Sequence, residues 1–154
     1  MEEVIWEMGD KIIIHGRKSW GKGEGEALVS NQPMQFVADV NRETGEVVNP
    51  RSDIYGKNVI DKVVIFSGVK GGAGMHSMIG SLELWAGGKP RAMINSGKGG
   101  RCPTSYHMVV GCYEGGIPII DMLDRDAHEV IKDGDWVVVD GEKGIMEIKK
   151  KEVP

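Results

Sequence analysis

The chain has 154 residues, enough to bury a hydrophobic core without disulfide or metal staples, and a single domain spanning 1–154 is expected. Glycine supplies 23 residues, about twice its usual share, but proline only 6, and no glycine period is visible; collagen and disordered tracts are excluded, and the glycines belong in turns and loops. With 19 Lys and Arg against 23 Asp and Glu the net charge is −4, and without a long basic run neither nucleic acid nor a membrane surface is expected as partner, which leaves a small molecule or a protein.

The first ten residues are acidic, lack a long apolar segment and read as a loose end without a secretory or membrane signal. Short β-rich runs punctuated by Gly, Asp or Asn follow: Lys11 to His15, Glu26 to Val29, Phe36 to Val40 and Val63 to Phe66. From Met75 the apolar residues Met75, Met78, Ile79, Leu82 and Trp85 keep helical spacing until Gly87-Gly88-Lys89-Pro90 stops them. A strand over Arg91 to Ile94 comes next. After Pro103 a second helix is expected, with Thr104 or Ser105 as N-cap and Tyr106, Val109, Val110 and Tyr113 on one face. Ile117 to Ile120 reads as a strand and Asp126 to Ile131 as a short helix. Trp136 to Val139 and Ile145 to Ile148 flank Asp140-Gly141-Glu142-Lys143-Gly144, a hairpin whose link has two glycines free to take positive φ. Lys149 to Pro154 reads as a second loose end. Cys102 and Cys112 form no CxxC pair, and a reduced, cytoplasmic protein is expected.

The strongest local feature is a strand, a Gly-rich loop and a helix in succession. Ser67-Gly68-Val69-Lys70-Gly71-Gly72-Ala73-Gly74 leads into the helix at Met75; unpaired N–H groups at a helix start and glycines that admit close approach make an anion cradle. It is not a P-loop, since Gly-x-x-x-x-Gly-Lys-Ser/Thr does not occur. A second such loop, Asn95 to Ser105, carries Lys98 and Arg101, and a guanidinium clamps a carboxylate or phosphate bidentately. Two loops of this kind facing each other make a site for an acidic substrate, with Ser67, Lys70, Gly71, Gly72, Gly74, Arg101 and Ser105 as its binding residues. His15, His76, His107 and His128 show no HExxH spacing and no pairing with the cysteines, so no metal site within the chain is expected. His76, in the first turn of a helix after glycines, is placed to act as acid, base or phosphoryl acceptor.

Together these segments resemble the small, swivelling subunit of the aconitase X family of hydro-lyases. The resemblance runs through His15-Gly16-Arg17, Gly23-Glu24-Gly25-Glu26-Ala27-Leu28-Val29-Ser30, Phe36 with Asp39-Val40, Thr44-Gly45, Tyr55-Gly56, the first Gly-rich loop, Lys89-Pro90-Arg91-Ala92, Gly116-Ile117-Pro118, and Gly134-Asp135 to Asp140-Gly141. It implies an α/β, β-rich fold, a swivelling β/β/α domain with a barrel-like sheet core and two or three helices. It also implies a partner: a large catalytic subunit that carries an iron–sulfur cluster, none being held by this chain, with a small hydroxy acid such as phosphomevalonate or a hydroxyproline dehydrated between the two. The family's loop reads Gly-Ser-x-x-Gly-Ser and its first serine is implicated in catalysis, whereas here Gly71-Gly72-Ala73-Gly74-Met75-His76-Ser77 stands in its place. Ser77 and His76 are therefore the expected catalytic residues. Phosphohistidine swivelling domains also have Gly-Gly-x-x-x-His before a helix and end in Gly-Asp-x-Val-x-Val-Asp-Gly, so the alternatives are a phosphohistidine-type domain using His76 and a non-catalytic anion-binding subunit.

Overall fold

A computed structural model describes residues 11–41, 43–69, 88–97, 103, 104 and 106–151. Seven strands, β1 (Lys11–His15), β2 (Lys22–Val29), β3 (Lys62–Phe66), β4 (Ala92–Asn95), β5 (Ile119–Ile120), β6 (Trp136–Asp140) and β7 (Ile145–Lys149), form one mixed sheet in the order β1-β7-β6-β2-β3-β4-β5. The described helices are α1 (Phe36–Asp39), α2 (Tyr106–Gly115) and α3 (Ala127–Val130). From β1 to β2 the sheet is antiparallel, and from β2 to β5 it is parallel.

The parallel half explains its own sequence. Apolar side chains alternate between two faces, and both faces are covered, so β3 reads as an unbroken apolar run. Val64 and Phe66 join Leu28, Phe36, Met93 and the α2 residues Met108 and Cys112 in one core. Val63 and Ile65 join Ile14, Ile94, Ile120, Val137, Val139, Met146 and the α3 residues Ala127 and Val130 in the other. The second core is wrapped by the sheet, whose two ends are tied together: the Arg17 N–H donates to the Asp121 carbonyl and the Asp124 N–H to that of His15, each at 2.8 Å. This is the barrel-like core that the resemblance implies.

The seam runs over Gly16, where a Cβ would sit 2.5 Å from Ile120 Cγ2 and 2.6 Å from the Asp121 carbonyl oxygen. Because backbone lies on one side, the crowding is not relieved by rotating a side chain, and Gly16→Ala is expected to cost about 1–3 kcal/mol. Urea unfolding followed by tryptophan fluorescence checks this; an unchanged midpoint at unchanged slope contradicts it.

Several expectations need correction. Phe36 to Val40 is not a strand: one turn of helix puts Phe36 and Val40, four residues apart, into the same core, and Gln35 Oε1 accepts from the Ala38 N–H while Asp39 Oδ2 accepts from that of Gln35. The buried face of α2 is Met108, Gly111, Cys112 and Gly115, not the predicted Val109, Val110 and Tyr113. Tyr113 is exposed and meets Trp20 edge-on, ring centroids 5.3 Å apart. In the hairpin link Gly144 takes φ +68° and Gly141 does not take a positive φ. Lys149 to Lys151 is no loose end: Lys149 pairs with Lys11, while Lys150 Nζ and the Lys151 N–H both bond Asp135. Residues 1–10, 152–154 and the helix expected over Met75 to Trp85 lie outside the described residues.

Candidate functional site at the ends of the parallel strands

Parallel strands bring their carboxyl ends to one edge, where open α/β sheets bind ligands. Here β2, β3, β4 and β5 run directly into Ser30, Ser67, Ser96 and Asp121, all buried, with Asn95 closing β4. The register places them side by side: Phe66 pairs with Asn95, the Ser96 N–H donates to the Phe66 carbonyl at 2.9 Å, and the Ser67 N–H donates to that of Gln32 at 3.2 Å. Both Gly-rich loops thus leave adjacent strands at the same level, each through a serine and then a glycine in the left-handed region, Gly68 at φ +113° and Gly97 at φ +65°. Of the predicted site residues, Ser67 stands at this edge. Lys70, Gly71, Gly72, Gly74, His76, Ser77, Arg101 and Ser105 lie outside the described residues.

Two hydrogen-bonded networks, one on each side of the sheet, hold the roots of the loops. On the α2 side Asp121, 4% exposed, accepts from Arg17 Nε at 2.8 Å, from Arg17 Nη2 at 2.6 Å and from the Thr104 N–H at 2.7 Å. Thr104 Oγ1 in turn accepts from Asn95 Nδ2 at 3.1 Å, and Asn95 Oδ1 accepts from the Gly97 N–H at 3.0 Å. The outgoing and returning ends of the second loop are therefore pinned to one carboxylate. Beside them a hollow of about 300 Å³ is lined by Arg17, Lys18, Trp20, Thr104 and Asp121 among others.

On the α3 side Ser96 Oγ lies 2.6 Å from His128 Nδ1, and His128 Nε2 lies 2.7 Å from the Ser30 carbonyl oxygen. The Ser30 hydroxyl belongs to the α2 side and donates to Asp53 Oδ1 at 2.6 Å. His128 spans β3, bridging the ends of β2 and β4. Ser30, Asn95, Ser96, Asp121 and His128 were not among the predicted site residues. The available signal was the repeated pattern of strand, Ser and Gly in Phe66-Ser67-Gly68 and Asn95-Ser96-Gly97.

Other groups are chemically quiet. Burial pushes the Cys112 thiol up to about 12, so it stays protonated against Met93 and is no nucleophile. Among the described residues no cluster of three or more His, Cys, Asp or Glu is arranged to hold a metal ion, and no helix is long and apolar enough to cross a membrane. A hollow of about 550 Å³ lies at the other ends of the strands between Lys22, Glu24, Arg91, Asp140 and Lys143.

A mixed β-rich sheet whose two ends are tied by backbone hydrogen bonds, with its polar loop roots at the ends of the parallel strands, defines the class: an α/β swivel-type domain. The family model of the aconitase X swivel domain matches residues 13–148, and the chain belongs to that family. It is 36% identical over 145 residues to the phosphomevalonate dehydratase small subunit of Methanosarcina mazei, covering 91% of this chain and 93% of that protein. To the protein of the same name from Methanocella arvoryzae it is 39% identical over 132 residues, 83% of this chain and 92% of the relative. The crystal structure of Thermococcus kodakaraensis aconitase X in its holo-form superposes with a TM-score of 0.77 at 31% identity, covering 90% of this chain and 99% of that one.

Proposed function

We propose that this chain is the small subunit of a hydro-lyase that dehydrates a small hydroxy acid such as phosphomevalonate or a hydroxyproline. The observation that carries the reading is the side-by-side departure of two Ser-Gly loops from adjacent parallel strands, in a chain that spans nearly the whole length of relatives named phosphomevalonate dehydratase small subunit. Family membership favours it over a phosphohistidine domain or a plain anion-binding subunit. In this reading the protein acts in the cytoplasm with a large catalytic subunit.

This chain's part is to close the site, exclude water and present polar groups from its two loops. Ser67, Ser105 and the amides of Gly71, Gly72 and Gly74 hold the acidic substrate, Lys70 and Arg101 neutralise its charge, and Ser77 with His76 is the catalytic group of the first loop, orienting the substrate for proton transfer. An iron–sulfur cluster held by the large subunit would supply Lewis-acid chemistry toward substrate oxygen. The chain's own residues do not fit such a cluster: it has two cysteines where clusters use about four thiolates, and Cys112 is buried and protonated.

Co-purification with the large subunit tests the reading. The complex is expected to be brown and to dehydrate phosphomevalonate, and the isolated chain colourless and inactive. Stoichiometric iron and sulfide in the isolated chain, or a partner-free chain with full activity, overturns it.

A further inference from the structure

We infer that Ser96 and His128 form a proton-transfer pair at the root of the two loops, supplying the base that the departed Gly-Ser motif leaves open; the inference rests on the dehydratase reading. The geometry fixes the direction of the pair. A carbonyl oxygen only accepts, so the contact of 2.7 Å to the Ser30 carbonyl requires the hydrogen on His128 Nε2. In the neutral ring Nδ1 is then a lone-pair acceptor, and the Ser96 hydroxyl, whose other acceptor within reach is the Gly97 carbonyl at 3.3 Å, donates to it over the shorter 2.6 Å. A serine, a histidine that accepts its proton, and a third group that holds the tautomer are the parts of an activated hydroxyl, with a backbone carbonyl here in the orienting role.

The placement suits the reaction. Ser96 follows Ile94 by two residues and takes the same side of the sheet, where α3 lies, and it stands between the exit of β4 and the glycine that opens the second loop. Its neighbour across the strand ends is Ser67, root of the first loop. The pair is withdrawn from water, Ser96 being 5% exposed and the His128 side chain 13%. Asp126 Oδ1 accepts from the His128 backbone N–H at 2.9 Å and lies 3.5 Å from Nδ1, which fixes the position of the ring.

In the step itself a substrate C–H bond breaks and its proton passes to Ser96 Oγ as the hydroxyl's own proton moves to His128 Nδ1. The C–H electron pair becomes the double bond and the C–O bond breaks with loss of hydroxide. The imidazolium proton returns through Ser96 and completes the water released. His128 acts only through Ser96 and is a positioning residue; Ser77 keeps the orienting role.

Two measurements test the pair. In the isolated chain, nitrogen chemical shifts of His128 are expected to report the tautomer protonated on Nε2, with an Nδ1 shift that changes in Ser96→Ala; a ring protonated on Nδ1 in the neutral state overturns the proposal. In the complex with its large subunit, with phosphomevalonate as probe, Ser96→Ala and His128→Gln should each lower kcat by about 10²-fold or more with KM changed by less than about threefold. The double variant should be no worse than either single one, because the two act as a unit. Near-normal turnover in either assembled variant overturns the pair while the wild-type activity upholds the dehydratase reading. An assembled wild-type complex inactive on both phosphomevalonate and a hydroxyproline overturns both.

Discussion

Asp121→Ala is expected to destabilise the protein by about 2–4 kcal/mol and to release the second Gly-rich loop at both ends. The carboxylate is buried at the seam of the barrel and answers three donors at once, Arg17 Nε, Arg17 Nη2 and the Thr104 N–H. Removing it strands a buried backbone donor and takes away the partner of a guanidinium; breaking a buried pair by deleting one member costs about 3–5 kcal/mol. The Arg17 side chain is 51% exposed and regains water, which places the expected loss below the top of that range. The consequence for the loop follows from the chain of bonds Asp121 to Thr104 to Asn95 to Gly97. Amide hydrogen exchange should therefore rise at Gly97 and Thr104 far more than in the hairpin of β6 and β7. A stability loss with no local rise in exchange contradicts the assigned anchoring role.

How much of this was legible in the residues depended on whether a feature is local. The hairpin was readable because Val137 and Val139 alternate with half-buried neighbours opposite Met146 and Ile148, and its register is set by its own short link. β3 was readable as an apolar run. The start of β2 was not, because Gly23 and Gly25 look like turn residues; Gly25 is in fact in the strand, where a Cβ would meet the Asp61 carbonyl oxygen at 2.5 Å. The inward face of α2 was misjudged for a related reason: Gly111 and Gly115 are buried but carry no hydrophobic signal. At the candidate site Ser67 was legible from strand, Gly-rich loop and expected helix. His128 was not, since it reaches Ser96 across 32 positions and Ser30 across 98, and nothing in its own neighbourhood announces either contact. The motif residues of the family resemblance fared better, and the structure gives several a physical role. Gly16 lets the barrel seam close, Arg17 clamps Asp121, and Asp135 joins the turn before β6 to the chain leaving β7.

Asp135→Ala is expected to cost about 3 kcal/mol at pH 7 and to remove part of the wild-type loss of stability in acid. The carboxyl is 2% exposed and joins the turn before β6 to the chain leaving β7, accepting from Lys150 Nζ at 2.5 Å, the Lys151 N–H at 2.8 Å and the Lys132 N–H at 2.9 Å. Burial alone pushes its pKa up, but the Lys150 hydrogen bond, the two backbone N–H groups and the Lys150 charge together outweigh it and hold the carboxyl below its ordinary 3.8. A carboxylate whose folded pKa is depressed adds stability that is fully present above the unfolded value and is lost as pH falls through the folded one. The loss therefore begins as pH drops toward about 4 and continues below it. At neutral pH the alanine variant leaves two backbone donors without their acceptor, each worth about 1 kcal/mol or more when buried, and takes the charged partner from the Lys150 ammonium, which keeps the Val130 carbonyl. For a domain of this size that corresponds to a fall in Tm of about 10 °C. Thermal unfolding of both proteins between pH 7 and pH 3 is the check: the two Tm curves should converge as pH falls. Parallel curves across that range contradict a depressed Asp135, and a variant as stable as the wild type at pH 7 removes the role assigned to the Gly134-Asp135 turn.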